Sequence, residues 1–188
     1  MKKTVTIVCT GESLIGFDFT KIKTDIFVCN RARFYIPKHT KWIVWDRKTE
    51  NRTWIDVDKI ETISIHGGKW IPEGDKLNRE KGKVGFMNNT LLFAINVAIQ
   101  YGYKKIFILG ADGKIDKYLH FWDREIADEY IRNLYKTQVF NFVRKKLELI
   151  KNELLEDEEI ILVDSSYDMF KNITQKEYLS IKNEVERK

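Results

Sequence analysis

The chain has 188 residues, of which 43% are hydrophobic and 13% aromatic, and its net charge is +5. That length suits one domain, and that much apolar material buries a core without disulfide or metal staples. No run approaches the ~20 apolar residues of a membrane span, so membrane-spanning functions are set aside, while a pI near 9.0 favours anionic ligands and leaves a nucleic-acid partner open.

The first segment, Thr4 to Cys9, is short, apolar and β-branched, and it runs into a turn at Thr10-Gly11. Gly11-Glu12 interrupts the apolar run where a signal-peptide core would continue, so a cytoplasmic protein is expected. Strands of the same form are expected at Asp25 to Asn30, Lys41 to Asp46, Thr62 to His66, Lys105 to Leu109 and Glu159 to Val163. Near-continuous apolar strands are buried on both faces, which means a parallel sheet covered by helices. The expected helices are Asn89 to Tyr101, stopped by Gly102, and a long one from Arg124 to Leu155 with a single apolar stripe. Between them, residues 47–85 are broken by glycines and charges and read as a long excursion, a candidate lid. The fold class is therefore α/β: a single Rossmann-like domain over residues 1–188, mostly parallel, with helices on both faces.

Cys9 and Cys29 both lie in these apolar runs; the plain reading is a pair of buried free thiols in a reducing compartment, and the alternative is a disulfide between neighbouring strands. In an open parallel sheet, ligands bind outside the carboxyl ends of the strands, where strand order reverses. Those ends are Thr10-Gly11-Glu12-Ser13, Asn30-Arg31, Asp46-Arg47, Gly110-Ala111-Asp112 and Asp164-Ser165-Ser166. Gly11 permits a tight turn, and Ser13 can cap the next segment while its amides face a phosphate. Glu12 would repel a phosphate, so it is expected to face solvent or a cation. The Asn30 amide both donates and accepts, which suits a base, ribose or phosphate. Asp112 suits a ribose hydroxyl, a metal or an acceptor hydroxyl. His120, just downstream, is placed to act as a general base. No spacing specifies a metal site, and no Walker A sequence is present.

Thr10-Gly11-Glu12-Ser13-Leu14, Gly16-Phe17-Asp18-Phe19 and Phe27-Val28-Cys29-Asn30-Arg31-Ala32 resemble the opening of a bacterial and phage transferase superfamily. Asn88-Asn89-Thr90, Ala94 to Ala98, Gly102 to Ile106 and Leu109-Gly110-Ala111-Asp112 resemble its second signature. The superfamily contains the family 42 sialyltransferases, the Maf-type glycosyltransferases, the pterin diphosphokinase-like proteins and short phage-encoded members. The resemblance implies a nucleotide-binding transferase, with a CMP-sugar favoured as donor, a small-molecule or glycan acceptor, and no required cofactor. By position, Gly11 and Ser13 would lie near the phosphate, and Asn30 and Arg31 would contact the nucleotide. Asn88, Asn89 and Thr90 would open a helix beside base and ribose. Gly110 and Asp112 would line the ribose or sugar side, with Tyr118 a phosphate ligand. Cys9 and Glu12 stand where glycine and proline are usual. The alternatives are a diphosphokinase-like enzyme, with Mg²⁺ held by Asp112, Asp46 and Glu12, and a non-catalytic nucleotide or protein binder, with a homo-oligomer open in each case.

Overall fold

The computed structural model of the chain describes residues 3–36, 40–44, 61–64, 71–85, 89–121 and 123–181. Its main sheet contains β1 (Thr4–Val8), β2 (Asp25–Cys29), β3 (Lys41–Val44), β4 (Glu61–Ser64), β7 (Lys105–Leu109), β8 (Glu159–Val163) and β9 (Lys171–Ile173). A separate pair, β5 (Ile71–Pro72) and β6 (Lys83–Val84), forms a small ribbon. The helices are α1 (Thr90–Gln100), α2 (Glu129–Leu134), α3 (Phe140–Glu153) and α4 (Gln175–Ser180). The order across the sheet is β4-β3-β2-β1-β7-β8-β9, and every described pairing is parallel. The expected α/β, Rossmann-like architecture is therefore present. After β1 the chain builds outward through β2, β3 and β4, then returns to place β7 on the other side of β1. The strand order reverses between β1 and β7, which is the position where such sheets open a crevice.

Strand alternation sorts the core into two layers. Val5, Ile7, Phe27, Ile106, Ile108, Ile160 and Leu162 face α1 and α3, where they meet Leu92, Ile95, Val143, Leu147 and Ile150. Val8, Ile26, Val28, Phe107, Leu109, Ile161 and Val163 face the other side, against Leu14, Phe17, Ile22, Ile36 and Tyr178. Thr6 also points there and exchanges hydrogen bonds with the Tyr178 and Thr24 hydroxyls, so the polar strand residue keeps partners at 0% exposure. The second layer is covered by α4 and by 3-10 turns at Glu12–Leu14, Phe19–Lys21 and Asn30–Phe34 rather than by long helices.

Several expectations need correction. The long helix does not begin at Arg124: Asp128 is its N-cap, its side chain accepting from the Ile131 N–H at 2.8 Å. A π-helical turn, Tyr135–Val139, joins α2 to α3, which ends at Glu153. The apolar stripe is also shorter than expected, because Ile126 and Tyr130 are exposed and only Val143, Leu147 and Ile150 are buried on α3. Strand β9 and helix α4 were not anticipated. Of the expected lid, 71–85 is fastened to the body. The Asn96 amide, itself fully buried, accepts from the N–H groups of Asn78 and Gly85 and donates to the Asn78 carbonyl. Arg79 adds an ion pair to Glu158. Residues 45–60 and 65–70, with Asp46, Arg47 and His66, lie outside the described residues.

Candidate functional site

The register brings Val8, Val28, Leu109 and Val163 into one row at the carboxyl edge, so the turns that follow β1, β2 and β7 begin level with one another. Above them lies a cleft of about 410 Å³, on the side of the sheet that carries α1 and α3. Gly11, Asn30, Arg31, Asn89, Thr90, Gly110, Asp112 and His120 all line it. Ser165 is stitched to the same edge by donating from its hydroxyl to the Ala111 carbonyl at 2.6 Å. Ser13 and Tyr118 do not line the cleft, and Asn88 lies outside the described residues.

The side formed by the β1 turn and the β7 loop is internally satisfied. Asp112, 7% exposed, accepts from the Ser13 N–H at 2.8 Å and from the Ser13 hydroxyl at 2.5 Å. Burial holds its carboxyl above the usual carboxylate range; the two bonds from Ser13 oppose the shift and the nearby Glu12 charge adds to it. Gly11 is required here, since a Cβ at that position would sit 2.5 Å from the Asp112 carboxyl carbon. Gly110 takes a positive φ of 69°, the left-handed conformation that glycine adopts at little cost. The Glu12 carboxylate, half-buried, is turned to the β7 loop, near enough to Lys114 and Lys117 to act on both charges. Its Oε2 accepts from three successive amides, Asp116, Lys117 and Tyr118, at 3.1, 2.8 and 3.0 Å. Three converging N–H groups make an anion-binding nest, and the carboxylate of this chain fills it. The Ser13 amide is turned to Asp112, not outward, because the segment after Gly11 is one 3-10 turn and not a helix with free amides.

The side formed by the β2 turn and the start of α1 is different. Asn30 has a φ of 47°, a left-handed conformation tolerated by asparagine, and it is fixed by the Trp42 indole donating to its carbonyl at 2.7 Å. The Thr90 hydroxyl donates to the Asn30 Oδ1 at 3.2 Å, which leaves the amide NH₂ as the group to offer a ligand. Asn89 caps α1 through its Oδ1, accepting from the Leu91 and Leu92 N–H groups. The positive end of an 11-residue helix therefore faces the cleft. Arg31 is exposed at the rim and forms no ion pair among the described residues.

His120 closes the cleft from the β7 loop. Burial holds its imidazole below the ordinary histidine value of 6.5; the Asp123 charge and the Leu119 carbonyl oppose this, and the Arg31 charge adds to it. At neutral pH the ring is neutral and able to accept a proton. Its backbone N–H donates to the Asp123 carboxylate at 2.9 Å, while its Nδ1 lies 3.6 Å from the same oxygen. The α2–α3 wall contributes Tyr135, Val139, Phe140 and Val143, and the β8 loop contributes Tyr167. Burial pushes both phenols up, so both remain protonated donors at neutral pH. Sequence reading missed these wall residues. The π turn that presents Tyr135 is a distortion often found at functional sites, but helical periodicity does not reveal it.

Two of the three expected magnesium ligands can be placed. Asp112 and Glu12 have their oxygens directed at N–H and O–H donors, and Asp46 lies outside the described residues. Among the described residues, no three metal-ligating side chains cluster. Among them too, no helix is long and apolar enough to cross a membrane.

No protein-family model matches the chain, and no curated protein matches it either. Among solved structures it is similar to the sialyltransferase CstII from Campylobacter jejuni in complex with CMP-3FNeuAc, at 17% identity and a TM-score of 0.47, over 86% of this chain and 81% of that one. A CST-II structure with a trisaccharide acceptor and CMP aligns at 16% identity and a TM-score of 0.46, over 85% and 80% of the two chains. The ligands in those complexes belong to those proteins.

Proposed function

We propose that this chain is a nucleotide-binding transferase that takes an activated nucleotide donor, a nucleotide sugar with CMP favoured, and transfers its group to an acceptor hydroxyl. The observation that carries the reading is the cleft at the strand-order reversal, where one wall presents the Asn30 NH₂ and Arg31 and a neutral histidine stands opposite. The Asn30 amide and the start of α1 hold the nucleotide, and Thr90 orients Asn30. Arg31 offsets the charge that grows on the departing phosphate. His120 takes the proton from the acceptor hydroxyl as that oxygen attacks the transferred group, and the nucleotide leaves with the bonding electrons. Asp112 and Ser13 act beneath them by locking the β1 turn to the β7 loop, and Gly11 and Gly110 let the two turns pack together, Gly11 against Asp112 and Gly110 against Leu14. The reading assigns no divalent cation; Asp112 and Glu12 accept from N–H and O–H donors. The choice of cytidine rests on the sequence resemblance, not on a contact in the cleft.

The test is a thermal-shift screen of nucleoside monophosphates and nucleotide sugars, followed by donor turnover with the best binder, with and without EDTA. Stabilisation by a pyrimidine nucleotide and EDTA-resistant turnover are expected. A protein that no nucleotide stabilises would end the reading.

A further inference from the structure

Cys9 and Cys29 are level at the ends of β1 and β2, because the parallel register pairs Val8 with Val28. Alternation turns both side chains to the same face of the sheet, toward α1, and both belong to the same core layer. The two sulfurs are 4.0 Å apart, with one thiol directed at the other. They are 9% and 3% exposed, yet both line the cleft, which gives a small reagent a path to them. Each cysteine also immediately precedes a turn that lines the cleft, Thr10-Gly11 in one case and Asn30-Arg31 in the other.

We infer that Cys9 and Cys29 form an oxidisable dithiol at the floor of the cleft, which closes into a cross-strand disulfide with a peroxide as the two-electron oxidant. Neighbouring strands lie about 4.8 Å apart, inside the roughly 4.4–6.8 Å Cα separation that a disulfide spans. Closure therefore needs the side chains to turn and the sulfurs to approach, not the strands to part. Burial and the contact from Cys9 hold the Cys29 thiol well up in its protonated form, and Cys9 is the more open of the two. Cys9 is accordingly the first to react. Its thiolate attacks one peroxide oxygen and the O–O bond breaks; with a proton taken up, water leaves and a sulfenic acid remains. The Cys29 sulfur then attacks the Cys9 sulfur, the S–O bond breaks, and a second water leaves with the Cys29 proton. Two thiols and one peroxide give one disulfide and two waters. The bond ties together the two turns that carry Gly11 and Asn30, so the cleft changes on the side assigned to the ligand.

The bond itself does not depend on the nucleotide reading, and its test is separate. The reduced full chain is treated with one equivalent of hydrogen peroxide, quenched, denatured and analysed by intact mass and peptide mapping. The expected product has lost two hydrogens, contains a Cys9–Cys29 cross-linked peptide, and falls from two titratable thiols to none. Dithiothreitol should restore both. Cys9→Ser and Cys29→Ser should each lose the cross-link, and Cys29→Ser should accumulate a dimedone-reactive sulfenic acid at Cys9. Oxygen-adduct masses without a cross-link in the wild-type chain would overturn the inference, as would a cross-link only between two chains. Two thiols still titratable after the peroxide is consumed would overturn it equally. Reduced and oxidised protein titrated with CMP then report on the cleft. Unequal affinity extends the inference to ligand control, and equal affinity confines it to the bond.

Discussion

The two sides of the cleft are built on opposite plans. On the β1–β7 side, the polar groups of Glu12, Ser13 and Asp112 are engaged with the chain itself, over sequence separations of 99 to 106 residues. On the β2–α1 side, Asn30 and Thr90 meet each other but leave the Asn30 NH₂ and Arg31 at the cleft, beside the Asn89-capped start of α1. Both sides look alike as sequence, a strand ending in small and polar residues. A polar residue at a strand end serves a ligand only if the fold has not already satisfied it. On the proposed reading the first side is a clamp and the second a reader, and substitutions in the two should fail in different ways.

The largest effect is expected from His120→Ala, which should lower turnover by about 10²–10⁴-fold while ligand affinity changes little, as for removal of a general base. Steady-state kinetics beside a direct binding titration would check this. A fall in melting temperature with unchanged turnover per folded molecule would instead make His120 part of the clamp. Next comes Asp112→Ala, which strands the Ser13 N–H and hydroxyl and should cost roughly 2–4 kcal/mol of stability in urea unfolding. Asp112→Asn, which keeps an acceptor, should recover part of that loss. Stability unaffected by either change would break the clamp.

Asn30 tests the other side. Asn30→Gly keeps the left-handed backbone and removes the amide, so nucleotide affinity should weaken by about 1–3 kcal/mol with little change in stability. Asn30→Ala should lose stability as well, because alanine is strained at a φ of 47°. Binding and unfolding measured on both variants separate amide from backbone.

The smallest expected effect is on pH dependence. The folded-state pKa of His120 is depressed below 6.5, so above that value the ring is neutral in both folded and unfolded chains. Below 6.5 the unfolded chain binds the proton first, and stability falls as pH drops toward the depressed folded value. Turnover should fall over the same acid range, as the base becomes protonated. His120→Gln should flatten this part of a stability profile followed by urea unfolding, and an unaltered slope would show that the ring is not the titrating group.

The sheet was legible because β1, β2, β7 and β8 are uninterrupted apolar runs, and their ends marked the cleft. Helix α1 was legible from Leu92, Ile95 and Ile99, which recur at helical spacing, and from Gly102, whose φ of 78° makes the stop. Strand β9 was not, because Lys171–Ile173 is three residues long, polar and largely exposed. Helix α4, at six residues, is too short to display a period, and its capping box at Thr174 and Glu177 was the signal passed over. The division of the cleft was not legible either. Nothing near Glu12 in sequence announces the amides of Asp116 to Tyr118, and nothing near Ser13 announces Asp112. Contacts of such separation are set by the sheet order, which becomes known only once β7 is placed beside β1.

The most direct measurement is a calorimetric titration of CMP into the wild-type chain, Ser13→Ala and Asn30→Gly, each verified as folded. The account predicts saturable binding by the wild type, near-equal affinity in Ser13→Ala, and a loss of about 1–3 kcal/mol in Asn30→Gly. Affinity lost in Ser13→Ala and kept in Asn30→Gly would reverse the two sides of the cleft, and no heat from CMP or from any other nucleoside monophosphate would contradict the nucleotide site itself.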